Sequence, residues 1–154
     1  MTHTYESHLV WDGSTGAGYR HYSRSMRAVA PPSQVEIPLS ADPKFLGDPA
    51  RVNPEQLLVM AVSSCQLLSF LAVAARQGVD VLSYEDDAVG SMPGNASPMR
   101  ITEITLAPQI LVAARTDVAL VEKLVQDAHA YCYIANSLSA SVTVTPTVSV
   151  DHHE

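Results

Sequence analysis

The longest apolar stretch in the chain runs from Gln56 to Ala75 without a charged residue, and it follows Asn53-Pro54-Glu55. Asn is a favoured helix cap, Pro is pre-organised for the first helical position, and Glu suits the positive end of the helix dipole. This pattern predicts a helix from Asn53 to Arg76 or Gln77, stopped by Gly78. Because the segment is apolar nearly all round, it is expected to be buried nearly all round. That demands a large cover, such as a curved sheet plus a second subunit.

Alternation of apolar and polar positions marks strands on both sides of this helix. From Thr4 to Leu39, Tyr5, Leu9 and Trp11 precede a turn-rich patch from Asp12 to Gly18. The alternation of Tyr19 to Met26 then predicts a strand with Arg20, Tyr22, Arg24 and Met26 on one face. Val35, Ile37 and Leu39 alternate likewise, and Pro43, Gly47 and Pro49 mark a loop. Beyond the helix, Val79 to Met92 and Met99 to Val112 read as two strands joined at Pro93-Gly94-Asn95. Thr116 or Asp117 caps a second helix, in which Val118, Val121, Val125, Ala128 and Cys132 form one apolar stripe. Val142 to Val150 is a closing β-branched strand, and Asp151 to Glu154 a frayed polar tail. Strands, helix, strands, helix, strand is an α+β order, expected to form a single domain over residues 1–154.

Composition narrows the function classes. Nine basic against sixteen acidic residues give a net charge of −7, without the basic cluster that nucleic acid requires. No basic stretch leads into an apolar one at the N-terminus, so no signal peptide is expected and the cytoplasm is the expected location. The uncharged run is long enough to cross a bilayer. Ser63, Ser64, Gln66 and Ser69 interrupt it, however, and no Trp or Tyr marks either end, so no membrane association is expected.

The candidate chemistry rests on two cysteines, Cys65 and Cys132. Too few for a disulfide scaffold, they are either inert buried packing or a functional dithiol brought together by the fold. A reactive thiolate needs a nearby cation or a helix N-terminus. Cys65 lies too far down its helix for the dipole, and the nearest cations in sequence are Arg20, Arg24 and Arg27. Glu55 precedes Cys65 by ten residues, about 15 Å along a helix and within roughly a quarter turn of it. Carboxylate and thiol could then flank one long Arg. An alternative joins Cys65, His129 and Cys132 as three zinc ligands, although no second close-spaced ligand pair accompanies them.

The two cysteine segments, Val52 to Leu58 leading to Ser64-Cys65 and Ala128 to Asn136 around Cys132, resemble the OsmC/Ohr family of thiol-dependent peroxidases. Trp11, the Tyr19 to Arg24 segment and Ala41 to Asp48 are similar to its OsmC-like branch. The resemblance implies an intertwined homodimer of strongly curved β-sheets wrapped around two central helices. It implies Cys65 as the peroxide-attacking residue, Cys132 as the resolving one, and Glu55 as the carboxylate holding a catalytic Arg. Arg24 fits that Arg best, with Arg20 as fallback. The implied activity is reduction of organic hydroperoxides through a Cys65 sulfenic acid and a Cys65–Cys132 disulfide. An external dithiol would reset the enzyme, and no metal or organic cofactor is needed. Leu58, Leu68 and Val125 would favour an apolar peroxide. Family members often follow the second Cys with Pro, where this chain has Tyr133. The competing reading is a non-catalytic dimer that binds a small apolar ligand and keeps both cysteines as packing.

Overall fold

The computed structural model describes residues 1–152, so His153 and Glu154 of the expected polar tail lie outside the described residues. The chain divides into two compact units, Met1–Leu57 and Leu58–Glu154.

In the amino-terminal unit, β1 (His8–Val10), β2 (Met26–Val29) and β3 (Ile37–Leu39) form an antiparallel sheet in that order. The strand expected over Tyr19 to Met26 does not form; only Met26 is in β2. Gly18 turns the chain with φ 92°, and the Arg24 guanidinium folds back to donate to the carbonyls of Tyr22 and Tyr19. Carbonyls that accept from a guanidinium in this way belong to a folded-back loop, not to an extended ladder. After β3, a 3₁₀ turn at Pro43–Phe45 is capped by the Asp42 carboxylate. Gly47 packs directly on the Ala41 carbonyl, where an added Cβ would overlap backbone. Asn53 and Gln56 then exchange reciprocal bonds: Gln56 N–H donates to Asn53 Oδ1 at 2.8 Å, and Asn53 N–H to Gln56 Oε1 at 3.0 Å. This is a capping box, which satisfies two otherwise orphaned donors.

It opens α1 (Pro54–Arg76), which ends as expected with Gly78 at φ 71°. The expectation of all-round burial is corrected. Only Val62, Gln66, Phe70 and Ala74 are buried, one stripe at steps of four, while Met60, Leu68 and Leu71 are exposed. Of the most hydrophobic 18-residue window, 22% is buried, and the helix is long and apolar enough to cross a membrane.

The carboxy-terminal unit adds β4 (Val81–Asp86), β5 (Val89–Ser91), β6 (Glu103–Leu106), β7 (Pro108–Val112), α2 (Val118–Ala130), α3 (Tyr133–Asn136), β8 (Ser141–Val144) and β9 (Thr147–Val150). Each long strand expected from the sequence is broken in two. The pieces make two three-stranded sheets, ordered β4-β7-β9 and β5-β6-β8. β4 pairs antiparallel with β7 and β5 with β6, whereas β8 and β9 pair parallel with β6 and β7 after the α2 crossover. The strongly curved sheets wrapped around two central helices are therefore corrected. The sheets of this α+β fold are three separate sheets of three short strands, too short to curl round a helix. At the β6–β7 break, Asp86 Oδ1 accepts from Ala107 N–H at 2.8 Å, and Asp86 Oδ2 accepts from the Ser63 hydroxyl of α1. One carboxylate thus stabilises the interruption and ties it to the helix two residues before Cys65.

The core gathers Val62, Phe70 and Ala74 of α1, Ile104, Leu106, Ile110 and Val112 of the sheets, and Val121, Leu124, Val125 and Ala128 of α2. Asp117 caps α2 by accepting from Ala119 N–H. Gln66 is fully buried and donates from Nε2 to Val125 O at 3.1 Å, linking α1 to α2.

A candidate dithiol site

Cys65 sits about three turns into α1 and is half-buried; Cys132 lies just past α2 and is fully buried. The stripe of α2 holds as far as Ala128, but Cys132 belongs to the turn after the helix. It occupies the cap position of α3 with φ −66° and ψ 110°, and its side chain caps nothing. Asn136 fixes this turn, donating from Nδ2 to Cys132 O at 3.0 Å and to Ala130 O at 3.1 Å. The Cys132 thiol is thereby left free for another partner. That partner is Cys65, and both cysteines are free thiols.

The two thiols are biased in opposite directions. Burial by itself pushes Cys65 up, but hydrogen bonds from Ile134 N–H, the Cys132 thiol, Tyr133 N–H and the Ser69 hydroxyl outweigh it and hold Cys65 below an ordinary thiol. Cys132 is pushed up, first by burial, despite the Ala135 N–H, and further by the hydrogen bond and charge of Cys65. Cys65 is the thiol that ionises first, and Cys132 is the proton donor beside it. The groups that lower Cys65 are two backbone N–H groups at the start of α3, a thiol and a hydroxyl, with no cation among them. The N–H groups of Tyr133 and Ile134 escape a sequence reading because residue type does not report where a backbone amide points. Ser69 lay within reach of one, at i+4 from Cys65 on the same helix.

Tyr84 of β4, absent from the sequence reading, packs against Phe70 of α1. Its ring centroid lies 6.0 Å from that of Phe70, and its hydroxyl is buried without a hydrogen-bond partner. Burial, the Asp86 carboxylate and a Cys132 thiolate all hold the phenol well above its ordinary range.

The other candidates lie as follows. Glu55 stands in the first turn of α1, with Oε2 buried and unpartnered. Arg24, in the amino-terminal unit, donates to Tyr22 O at 2.6 Å and stacks 3.7 Å from the Tyr22 ring centroid and 4.9 Å from that of Tyr19. Arg20 is exposed. Cys65, His129 and Cys132 do not assemble as zinc ligands: among the described residues, no three His, Cys, Asp or Glu are grouped to hold a metal. Of the expected apolar lining, Leu68 is 67% exposed and Val125 lies entirely within the core. A groove of about 380 Å³ lies between α1 and α2, lined by Val73, Arg76, Gln77, Leu124, Asp127 and Tyr131, and includes neither cysteine.

Known proteins share this fold. An OsmC-like protein of unknown function from Vibrio cholerae is 30% identical, covers 95% of this chain and 100% of its own, and superposes with a TM-score of 0.86. The organic hydroperoxide resistance protein OsmC of Legionella pneumophila has the same fold, with 19% identity, TM-score 0.66 and coverage of 97% and 99%. The uncharacterized protein YmaD of Bacillus subtilis is 24% identical over 112 residues, 70% of this chain and 75% of its own length. The family described as OsmC-like protein matches residues 47–147. With that match spanning both cysteines, the chain belongs to the OsmC family.

Proposed function

We propose that the protein is a cysteine-based peroxidase that reduces organic hydroperoxides to alcohols. The observation that carries this reading is a pair of hydrogen-bonded free thiols, one held below and the other above the ordinary range. A free thiol with a pKa near ~8.5 is only a few per cent thiolate at neutral pH, so the lowered Cys65 is the better nucleophile. Its sulfur attacks the peroxide, an S–O bond forms, the O–O bond breaks, and the alkoxide takes a proton and leaves as alcohol. Cys65 is now a sulfenic acid. With the Cys65 charge gone, one of the causes that push Cys132 up is removed. Cys132 then attacks the Cys65 sulfur, the S–S bond forms, and the hydroxyl leaves as water with the proton of Cys132. An external dithiol exchanges with the disulfide and restores both thiols.

Support for the substrate class comes from relatives of the same fold, the Legionella protein and OhrB of Bacillus subtilis, both named as organic hydroperoxide resistance proteins. Glu55 and Arg24 enter as the proposed carboxylate–guanidinium pair, with Arg20 as fallback. The buried, unpartnered Glu55 Oε2 has the capacity to accept a guanidinium. A homodimer is proposed because Met60, Leu68 and Leu71 leave an apolar face of α1 exposed. A reducing cytoplasm is the proposed setting. Turnover of cumene hydroperoxide with a dithiol reductant tests the reading: Cys65→Ser should abolish it in a folded protein, and full activity in that variant would end the proposal.

A further inference from the structure

Asn136 is exposed at the end of α3, yet its side chain is fully engaged. Its Nδ2 gives hydrogen bonds to two backbone carbonyls, Cys132 O at 3.0 Å and Ala130 O at 3.1 Å. Its own backbone N–H donates to the same Cys132 carbonyl, also at 3.0 Å, so one residue takes both lone pairs of that oxygen. On the other side, Cys132 N–H donates to His129 O at 3.1 Å, in the last turn of α2. Ala130 O is among the final carbonyls of α2, which lack intrahelical partners. The main chain of Cys132 is thus pinned at its N–H and its C=O, and tied to the end of the preceding helix. Asn136 lies outside the buried core, so these bonds are what its side chain contributes. They fix the turn from which the buried Cys132 thiol projects, and that turn also carries the Tyr133 and Ile134 amides that bond the Cys65 sulfur.

We propose that Asn136 is a positioning residue of the dithiol: by clamping the Cys132 carbonyl, it sets the share of Cys65 sulfenic acid that closes to the disulfide before a second peroxide reaches it. The proposal rests on the peroxidase reading and deepens its second step. Closure is intramolecular. The Cys132 sulfur bonds to the Cys65 sulfur, the S–O bond breaks, and the hydroxyl leaves as water with the proton of Cys132. Overoxidation is bimolecular: a second hydroperoxide gives one oxygen to the sulfenic sulfur and leaves as alcohol, and Cys65 becomes a sulfinic acid. The rate of closure depends on how well the two sulfurs are held together, and that of overoxidation does not. A loosened turn therefore slows the first reaction and leaves the second in place.

Rapid-quench mass spectrometry of the full chain, over a series of cumene hydroperoxide concentrations, reads disulfide against Cys65 sulfinic acid. Asn136→Ala should reach equal amounts of the two at about tenfold less peroxide than the wild type. Asn136→Ser places a hydroxyl where a helical serine bonds back to the carbonyl four residues earlier. Ser137 already does this, donating to Tyr133 O at 2.7 Å. The serine variant should recover most of the difference. A merely structural Asn136 would lower the thermal midpoint and leave the partition at the wild-type value, and that result overturns the proposal. A serine variant no better than alanine also overturns it. A second measurement needs no peroxide: the equilibrium of the Cys65–Cys132 disulfide with dithiothreitol. Asn136→Ala should move it about tenfold toward the dithiol, or about 30 mV. If the wild-type chain forms no sulfenic acid, the peroxidase reading fails, and this equilibrium still decides the role of Asn136: an unchanged value ends it.

Discussion

Replacing Tyr133 with proline deletes one hydrogen from the dithiol site and little else. Tyr133 N–H is one of the donors that hold the Cys65 thiol down. The ring of Tyr133 is 80% exposed, so its loss should cost little packing. Proline is at home in the first position of a helix, which Tyr133 occupies in α3. The residue before a proline must be extended, and Cys132 already is, with φ −66° and ψ 110°. A hydrogen bond to a charged group contributes about 1.5–3 kcal/mol. Because Cys65 is only half-buried and shares four lowering contacts, the lower end applies. Tyr133→Pro should therefore raise the Cys65 pKa by about one unit, or about 1.4 kcal/mol. The sign follows from the chemistry: removing a donor destabilises thiolate relative to thiol, so a higher pH is needed to ionise it. The assay is the pH dependence of iodoacetamide modification of Cys65, resolved by peptide mass spectrometry. Tyr133→Ala, which loses the ring and keeps the N–H, serves as control. A Pro curve displaced to higher pH from the Ala curve supports the reasoning. Coincident curves would refute it and leave the thiolate to other groups.

Three further outcomes concern the scaffold. Gly47→Ala drives a Cβ into the Ala41 carbonyl and should destabilise the amino-terminal unit by about 1–3 kcal/mol, read as faster amide exchange through β3 and the loop after it. Asn53→Ala removes the acceptor for Gln56 N–H at the start of α1 and should cost about 1 kcal/mol in urea unfolding, with a serine replacement recovering most of it. Phe70→Ala empties a fully buried position against Tyr84 and should cost about 3–5 kcal/mol in the same assay.

Much of this arrangement was legible in the sequence where local chemistry decides the outcome. Asn53-Pro54 and Gly78 bound α1, Asp117 caps α2, and Val121, Val125 and Ala128 face the core. Legibility failed where a contact distant along the chain, or a side chain folding back on its own backbone, overrides the local pattern. Arg20, Tyr22, Arg24 and Met26 alternate like a strand, yet Arg24 takes up the carbonyls that a ladder would need. The continuous strand expected from Met99 to Val112 breaks at Ala107 because Asp86, distant in sequence, satisfies that amide. At the site, both cysteines could be found by residue type, and the family resemblance implied their pairing. The groups that tune them could not be found that way. Tyr133 and Ile134 act through backbone amides, which residue type does not report. The need for a cation beside Cys65 was inferred from its depth in α1, and the start of α3 supplies a neutral alternative.

The central claim is that Cys65 and Cys132 form one redox unit. Its most direct test is peptide mapping of the reduced chain after one equivalent of cumene hydroperoxide, with the alcohol product measured in the same sample. The account predicts a Cys65–Cys132 disulfide and one equivalent of cumyl alcohol, with the disulfide reversed by an added dithiol. Unmodified thiols with the peroxide intact would contradict it, as would oxidised cysteines without the crosslink.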